Sequence, residues 1–267
     1  MEYSEMTVLN KGEYTGDIVR SHQMEGCTIT NTVYAAKKNN PEWHYHENLH
    51  ICFVFEGGKS QTKHQTRYSK KEGSIFFYHA EEQHRWISPT PIAKSANIEI
   101  EDSFLKEYDL KQEDIKTAIH SNINAKALIL KMQHELLQQH GGEYLSKLLL
   151  ELVSYQNEKK HASLPRWAEL LMELLHDQWN ESLSLQEIAI HVGAHPVTIS
   201  KNFRKYFQCT LGEYQRKLKI EKSIDLIKNT DLSLSEIAFY CGFTDQSHFI
   251  RNFKQQTHFL PKGYRRF

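Results

Sequence analysis

A chain of 267 residues with 39% hydrophobic and 25% charged side chains is too long for one ordinary domain and has the composition of a soluble globular protein, which excludes the disordered and fibrous classes. Its 33 basic and 33 acidic residues cancel, but residues 165–267 carry 14 Lys/Arg against 11 Asp/Glu while residues 1–164 carry 19 against 22; so small a surplus is by itself weak support for nucleic acid. Apolar runs such as 51–55 fall far short of the roughly 20 residues that span a bilayer, so no membrane partner is expected. The start, Met1 to Asn10, has two glutamates and no long apolar stretch, so it reads as no signal peptide and the chain is expected in the cytoplasm. The four cysteines, Cys27, Cys52, Cys209 and Cys241, have no paired spacing and read as incidental thiols in a reducing compartment.

From about Gly26 to Ile100 the chain reads as short strands between turn signals: Thr28 to Tyr34, His50 to Phe55, Lys59 to Tyr68, Ser74 to Tyr78 and Ala96 to Ile100. Strands this close suggest a small barrel or sandwich. From Ser103 the period becomes helical, through Ile119, Ile123, Leu128, Met132 and Leu136, and after Gly141-Gly142 a second helix carries Leu145, Leu148, Leu149 and Leu152. The polar stretch 156–163 is the best interdomain linker. Pro165 then suits the first turn of a new helix, and everything beyond reads as helical.

The helical part contains an internal repeat. Leu183-Ser184-Leu185-Gln186-Glu187-Ile188-Ala189 with Gly193 returns 49 residues later as Leu232-Ser233-Leu234-Ser235-Glu236-Ile237-Ala238 with Gly242. In each copy a serine and the glutamate three residues on can close a capping box, and the glycine ends the helix in a tight turn. A second helix follows each turn, from His195-Pro196 and from Asp245, with Ile199 and Phe203 matching Phe249 and Phe253 at an offset of 50. Those apolar residues anchor the helix inward and leave polar side chains outward, the arrangement that lays a second helix in the major groove. An α-helical repeat protein would show the same spacing.

The run Gly242-Phe243-Thr244-Asp245-Gln246-Ser247-His248-Phe249-Ile250-Arg251-Asn252-Phe253-Lys254, followed by Pro261, Tyr264 and Arg265-Arg266, resembles the signature that closes AraC/XylS-family transcription regulators. The resemblance covers residues 165–267. It implies that Val197, Ser200 and Lys201 read bases from the first recognition helix, and Gln246, Ser247, Ile250 and Arg251 from the second, with Arg204 and Lys254 on phosphates. Lys201 stands where an arginine is common, and Cys209 where a glycine is common. The partners implied are double-stranded promoter DNA, RNA polymerase, a small-molecule effector and a second copy of the chain in a homodimer.

Six of the 16 histidines fall between His44 and His84. In a strand His44 and His46 share a face, and His50 joins them if the strand is unbroken. Gly73 to Tyr78 with His84 resembles the second half of a cupin motif whose first half is His-x-His, then Glu, then glycine. Gly57 supplies that glycine, His50 replaces the glutamate, and Tyr78-His79-Ala80-Glu81 replaces the usual proline and glycine. Two readings stay open: His44, His46, His50 and His84 bind a divalent metal, or they hydrogen-bond internally and line an effector pocket. The resemblance implies such a pocket, with Trp43, His44, His46, Phe53, Phe55, Phe77, His84 and Trp86 as lining residues; each aromatic could equally be core.

The expectation is an α+β chain of two domains. Residues 1–157 form a cupin-like β-barrel with a following helical pair that senses effector and dimerises, 158–164 are the linker, and 165–267 are an all-α domain with two helix-turn-helix units. The function expected is a ligand-responsive, sequence-specific DNA-binding transcription regulator that requires no cofactor. No nucleophile motif or phosphate-binding glycine loop marks an enzyme; the competing reading is a cupin-type metal-binding protein or enzyme with a helical appendage.

Overall fold

A computed structural model describes residues 6–35, 42–63, 66–87, 90–138, 142–153 and 164–267. The chain divides into two compact units: Met1–Ile119 with Glu135–Leu149 and Phe267, and His120–His134 with Leu150–Arg266. Of the expected linker 158–164, only Leu164 lies within the described residues.

The described strands are β1 (Thr7–Leu9), β2 (Asp17–Met24), β3 (Cys27–Ala35), β4 (His44–His46), β5 (Leu49–Glu56), β6 (Lys59–Lys63), β7 (Thr66–Lys70), β8 (Ile75–Tyr78), β9 (His84–Ile87) and β10 (Ile92–Ile100). They form two five-stranded sheets, ordered β1-β4-β9-β6-β7 and β2-β3-β10-β5-β8. The apolar run Ile51 to Phe55 lies in β5, which is buried on both faces. The expected strand over 59–68 is two, β6 and β7, paired antiparallel from Lys59↔Lys70 to Lys63↔Thr66. Strands β1 and β2 lie outside the expected set: β2 is largely exposed along its length, and β1 is three residues completed by parallel pairing to β4, so neither carries an apolar pattern of its own.

Four helices follow the sheets where the sequence suggested two: α1 (Asp102–Glu107), α2 (Gln112–Ser121), α3 (Ala125–Gln138) and α4 (Gly142–Val153). The helical period reads through two breaks. Asp109, at φ 49°, takes the left-handed conformation that stops α1, and the Asn122 side chain accepts from the Asn124 amide at 2.9 Å, ending one helix before the next begins.

The remaining helices are α5 (Arg166–Asp177), α6 (Leu185–Val192), α7 (Pro196–Phe207), α8 (Leu211–Asn229), α9 (Leu234–Tyr240), α10 (Gln246–Thr257) and α11 (Pro261–Arg265). Leu171, Leu174 and Leu175 of α5, Ile188 of α6, Ile199 and Phe203 of α7 and Tyr214 and Leu218 of α8 bury one core. Farther along α8, Ile220, Ile224 and Ile227 are buried, as are Ile237, Phe249, Phe253 and Tyr264. Residues 120–134 group with this helical unit, and Lys126 shows how. Its ammonium donates to both carboxylate oxygens of Asp225 on α8 at 2.6 Å and lies 3.8 Å from Glu221.

Glu221 is the costly member of that network. Burial is the largest influence and pushes its carboxyl up to about 8, against the opposing pull of Lys126. A carboxyl raised in the folded chain favours folding fully below its unfolded pKa, and that contribution is lost as pH rises toward 8. Urea melts of Glu221→Gln and the parent should therefore diverge with pH, by up to about 1.4 kcal/mol per unit between about pH 5 and 8. Parallel stability curves would show that Glu221 is ionised throughout.

Candidate functional site

The two ends of the repeat fold alike because the same local chemistry acts twice. Ser184 accepts from the Glu187 amide at 3.2 Å while the Glu187 carboxylate accepts from the Ser184 amide at 2.7 Å. Ser233 and Glu236 repeat both bonds at the same lengths. These bonds hold both glutamates below the ordinary carboxylate range and make each expected capping box a real one. Thr210 and Glu213 close a third at the start of α8, which the T-x-x-E spacing could have shown.

Gly193 caps α6 at φ 65°, and Gly242 follows α9 at φ 66°. Beyond these turns, His195 caps α7 by accepting from the Val197 amide at 3.3 Å, and Asp245 caps α10 by accepting from the His248 amide at 2.7 Å. On α7, Val197, Ser200, Lys201 and Arg204 are exposed; on α10, Gln246, Ser247, Arg251 and Lys254 are exposed and Ile250 is half-buried. The carboxamide oxygen of Gln246 accepts from the Ser235 hydroxyl at 2.5 Å, which orients that side chain from the preceding helix. The left-handed residues that end α7 and α10 are Gln208, φ 57°, and His258, φ 64°. The turn after α7 thus takes its left-handed residue at Gln208, one position before Cys209.

A different geometry occupies the sheets. The strand carrying the histidines breaks at Glu47-Asn48, so His44 and His46 sit on β4, His84 pairs with His44 from β9, and His50 arrives from β5 of the other sheet. All four are buried. The His46 ring lies 4.2 Å from His50 and 5.6 Å from His84, and His50 stacks on Tyr78 at 4.2 Å. One ligand nitrogen from each of His44, His46 and His84 lies within 4.8 Å of the others. Nδ1 of His44 meets the Glu42 carbonyl at 3.2 Å and Nδ1 of His84 the Glu82 carbonyl at 2.8 Å, which assigns their lone pairs to Nε2. His46 is pushed down to about 3 by burial and then by His44, so its imidazole is neutral, and its buried Nδ1 has no hydrogen-bond partner.

A cavity of about 20 Å³ lies against these rings. His44, His46, His50 and His84 line it with Tyr14 and Tyr78. Trp43, Phe53, Phe55 and Phe77 do not: Phe53 and Phe55 are fully buried with their rings 4.9 Å apart, Phe77 packs on His79, and Trp43 lies under the Arg85 guanidinium. The Trp86 side chain is outside the described residues. Tyr14 had no local signal. It is placed by Glu99 of β10, whose buried carboxylate accepts from the Gly12 amide at 2.8 Å, Asn48 Nδ2 at 2.9 Å and the Tyr14 hydroxyl at 3.5 Å.

Two helix pairs, each capped, turned through glycine and presenting a polar second helix, define a helix-turn-helix protein. Residues 188–266 match the family profile described as a helix-turn-helix domain. The chain is 27% identical over 146 residues to the HTH-type transcriptional regulator GbdR of Pseudomonas aeruginosa, covering 50% of this chain and 40% of that protein, so it spans about two fifths of that relative's length. It is 22% identical over 242 residues to the HTH-type transcriptional activator RhaR of an Enterobacter species, covering 83% and 86%. Among solved structures, the C-terminal domain of the response regulator yesN from Fusobacterium nucleatum is similar at 27% identity and a TM-score of 0.35, over 37% of this chain and 96% of that one. Residues 188–266 match a helix-turn-helix domain, and the relatives named here are HTH-type transcriptional regulators.

Proposed function

We propose that the chain is a ligand-responsive, sequence-specific DNA-binding transcription regulator. Residues 165–267 act as two helix-turn-helix units, α6 with α7 and α9 with α10, and residues 1–157 as a cupin-like sensing and dimerising domain joined through 158–164. The observation that carries this reading is the duplicated cap, turn and exposed helix, built twice from the same residue types. Val197, Ser200 and Lys201 then read one major-groove segment, and Gln246, Ser247, Ile250 and Arg251 the next, while Arg204 and Lys254 hold phosphates. A homodimer would pair two such bipartite sites at a promoter, beside RNA polymerase in the cytoplasm.

Selection of bound sequences from a random duplex pool by the full chain, at about 150 mM salt, tests this. The expected result is a two-part motif with its halves about one helical turn, roughly 34 Å, apart. Recovery of no motif, with or without cell metabolites, would count against the reading.

The histidine cavity supports a second reading of what is sensed. At about 20 Å³ it has room for one water or one ion, far below the roughly 300 Å³ of an organic ligand pocket. Three buried imidazoles, two of them oriented by backbone carbonyls, suit a divalent transition metal, with His44, His46 and His84 as ligands and His50 beside them. Cobalt titration of the full chain should give a visible d–d band saturating near one equivalent, absent in His46→Ala. A titration without that band would leave the histidines as packed, hydrogen-bonded residues of the sheet interior.

A further inference from the structure

We propose that the helical unit holds a second ligand site, a cavity that takes a small hydroxylated anion bearing phosphate or several carboxylates. The cavity measures about 400 Å³, within the size range of metabolite pockets. Residues of α3, α4, α7, α8 and α10 surround it, and of its twelve lining residues only Cys209 is neither charged nor an amide. That lining offers little to an acyl chain.

Charge sets the sign of the ligand. Lys131, Arg204, Arg216 and Lys217 line the cavity against two carboxylates, Glu151 and Glu213. One oxygen of Glu213 accepts from the Thr210 amide at 2.7 Å and hydroxyl at 2.9 Å, while its charge also acts on Arg216 and Arg204. Among the described residues, none of the four cations has a carboxylate oxygen within 4.0 Å. Burial holds the Lys131 ammonium below its usual range, with Glu151 opposing and Lys217 reinforcing the shift. Four cations set against two carboxylates repel one another on balance and are stabilised by an anion that enters between them.

Side-chain amides supply the hydroxyl preference. The carboxamides of Asn124 and Gln256, with those of Gln208, Asn252 and Gln255, line the cavity and can hydrogen-bond the hydroxyls of a ligand.

The competing occupant is a DNA phosphate. Against it, Lys131 and Glu151 come from α3 and α4, outside the matched domain 188–266, and the contributions of α7 and α10, Arg204 with Gln208 and Asn252 with Gln256, sit toward the C-terminal ends of those helices. The residues assigned to base reading lie in the N-terminal halves of these helices, with Lys201 and Arg251 nearest the cavity. A ligand here touches both second helices and α8 between them, so it fixes their spacing, and its affinity and that for DNA must be linked reciprocally. Arg204 is shared with the DNA reading, whereas Lys131, Arg216 and Lys217 are not; the linkage rests on that reading.

Calorimetric titration of the full chain with glucose 6-phosphate, citrate and uncharged glucose, at about 150 mM salt, tests the site. The expected result is saturable binding of glucose 6-phosphate or citrate, no heat from glucose, and a loss of about tenfold or more in affinity in both Lys131→Gln and Lys217→Gln. The exposed Arg216→Gln gives the same readout should either lysine variant unfold. Absence of saturation by both anions to about 10 mM, or affinity unchanged in the variants, overturns the proposal. So does a loss of DNA affinity in Lys131→Gln, without any anion present, as large as that in Arg204→Gln, which would assign the cavity to DNA phosphates.

Discussion

Replacing Gly242 by alanine is expected to unfold most of the second helix pair's stability, while the same change at Gly193 should be mild. Both glycines have φ near +65°, so each alanine bears the cost of a left-handed L-residue, about 1–2 kcal/mol. At Gly193 a Cβ meets nothing within 4 Å. At Gly242 it would sit 2.0 Å from the Asn180 carbonyl oxygen and 2.8 Å from Lys219 Nζ, the same ammonium that donates to the Gly242 carbonyl at 2.8 Å. Either the backbone around Asn180 moves or the Lys219 bond breaks, and both leave buried polar groups unsatisfied. The combined cost is about 3 kcal/mol or more, against about 1–2 for Gly193→Ala, read as the difference between the two variants' urea midpoints. Equal losses would mean that the turn after α9 has room the geometry denies it.

The second large effect concerns recognition. Arg251 is exposed on α10, nearly two turns beyond the Asp245 cap and on the face opposite Phe249 and Phe253. A guanidinium placed there can pair bidentately with a guanine edge. Arg251→Ala should therefore weaken binding to the selected site by about 1–3 kcal/mol, roughly fivefold to 150-fold, and leave binding to unrelated duplex almost unchanged. Lys254→Ala should behave differently, weakening both by similar factors and lowering the salt dependence by about one phosphate contact. Fluorescence anisotropy on the selected duplex and a scrambled one, across a salt series, separates the two. An equal loss on both duplexes for Arg251→Ala would move that arginine from base to phosphate.

These predictions draw on different parts of the chain because the sequence was legible to different depths. The repeated Ser-x-x-Glu and the two glycines specify structure through bonds spanning three residues, so both capping boxes and both turns could be read without tertiary information. The alternation of Ile199 and Phe203, and of Phe249 and Phe253, specified which faces of α7 and α10 turn inward, since helical period alone decides that. The strand read over His50 to Phe55 is likewise found, as β5, and is buried.

What depends on distant partners was not legible. The break at Glu47-Asn48 puts His50 on the opposite sheet from His46, and only the packing of the two sheets returns its ring to 4.2 Å from that neighbour. Tyr14 reaches the histidine cavity through Glu99, 85 residues away, and the anion cavity assembles from five helices between α3 and α10. The difference between Gly193 and Gly242, identical in sequence role, lies in one carbonyl oxygen of Asn180. Local hydrogen bonds and side-chain period are properties of a short segment and are written in it; cavities, charge clusters and steric clearance are properties of how segments meet, and only the folded chain decides them.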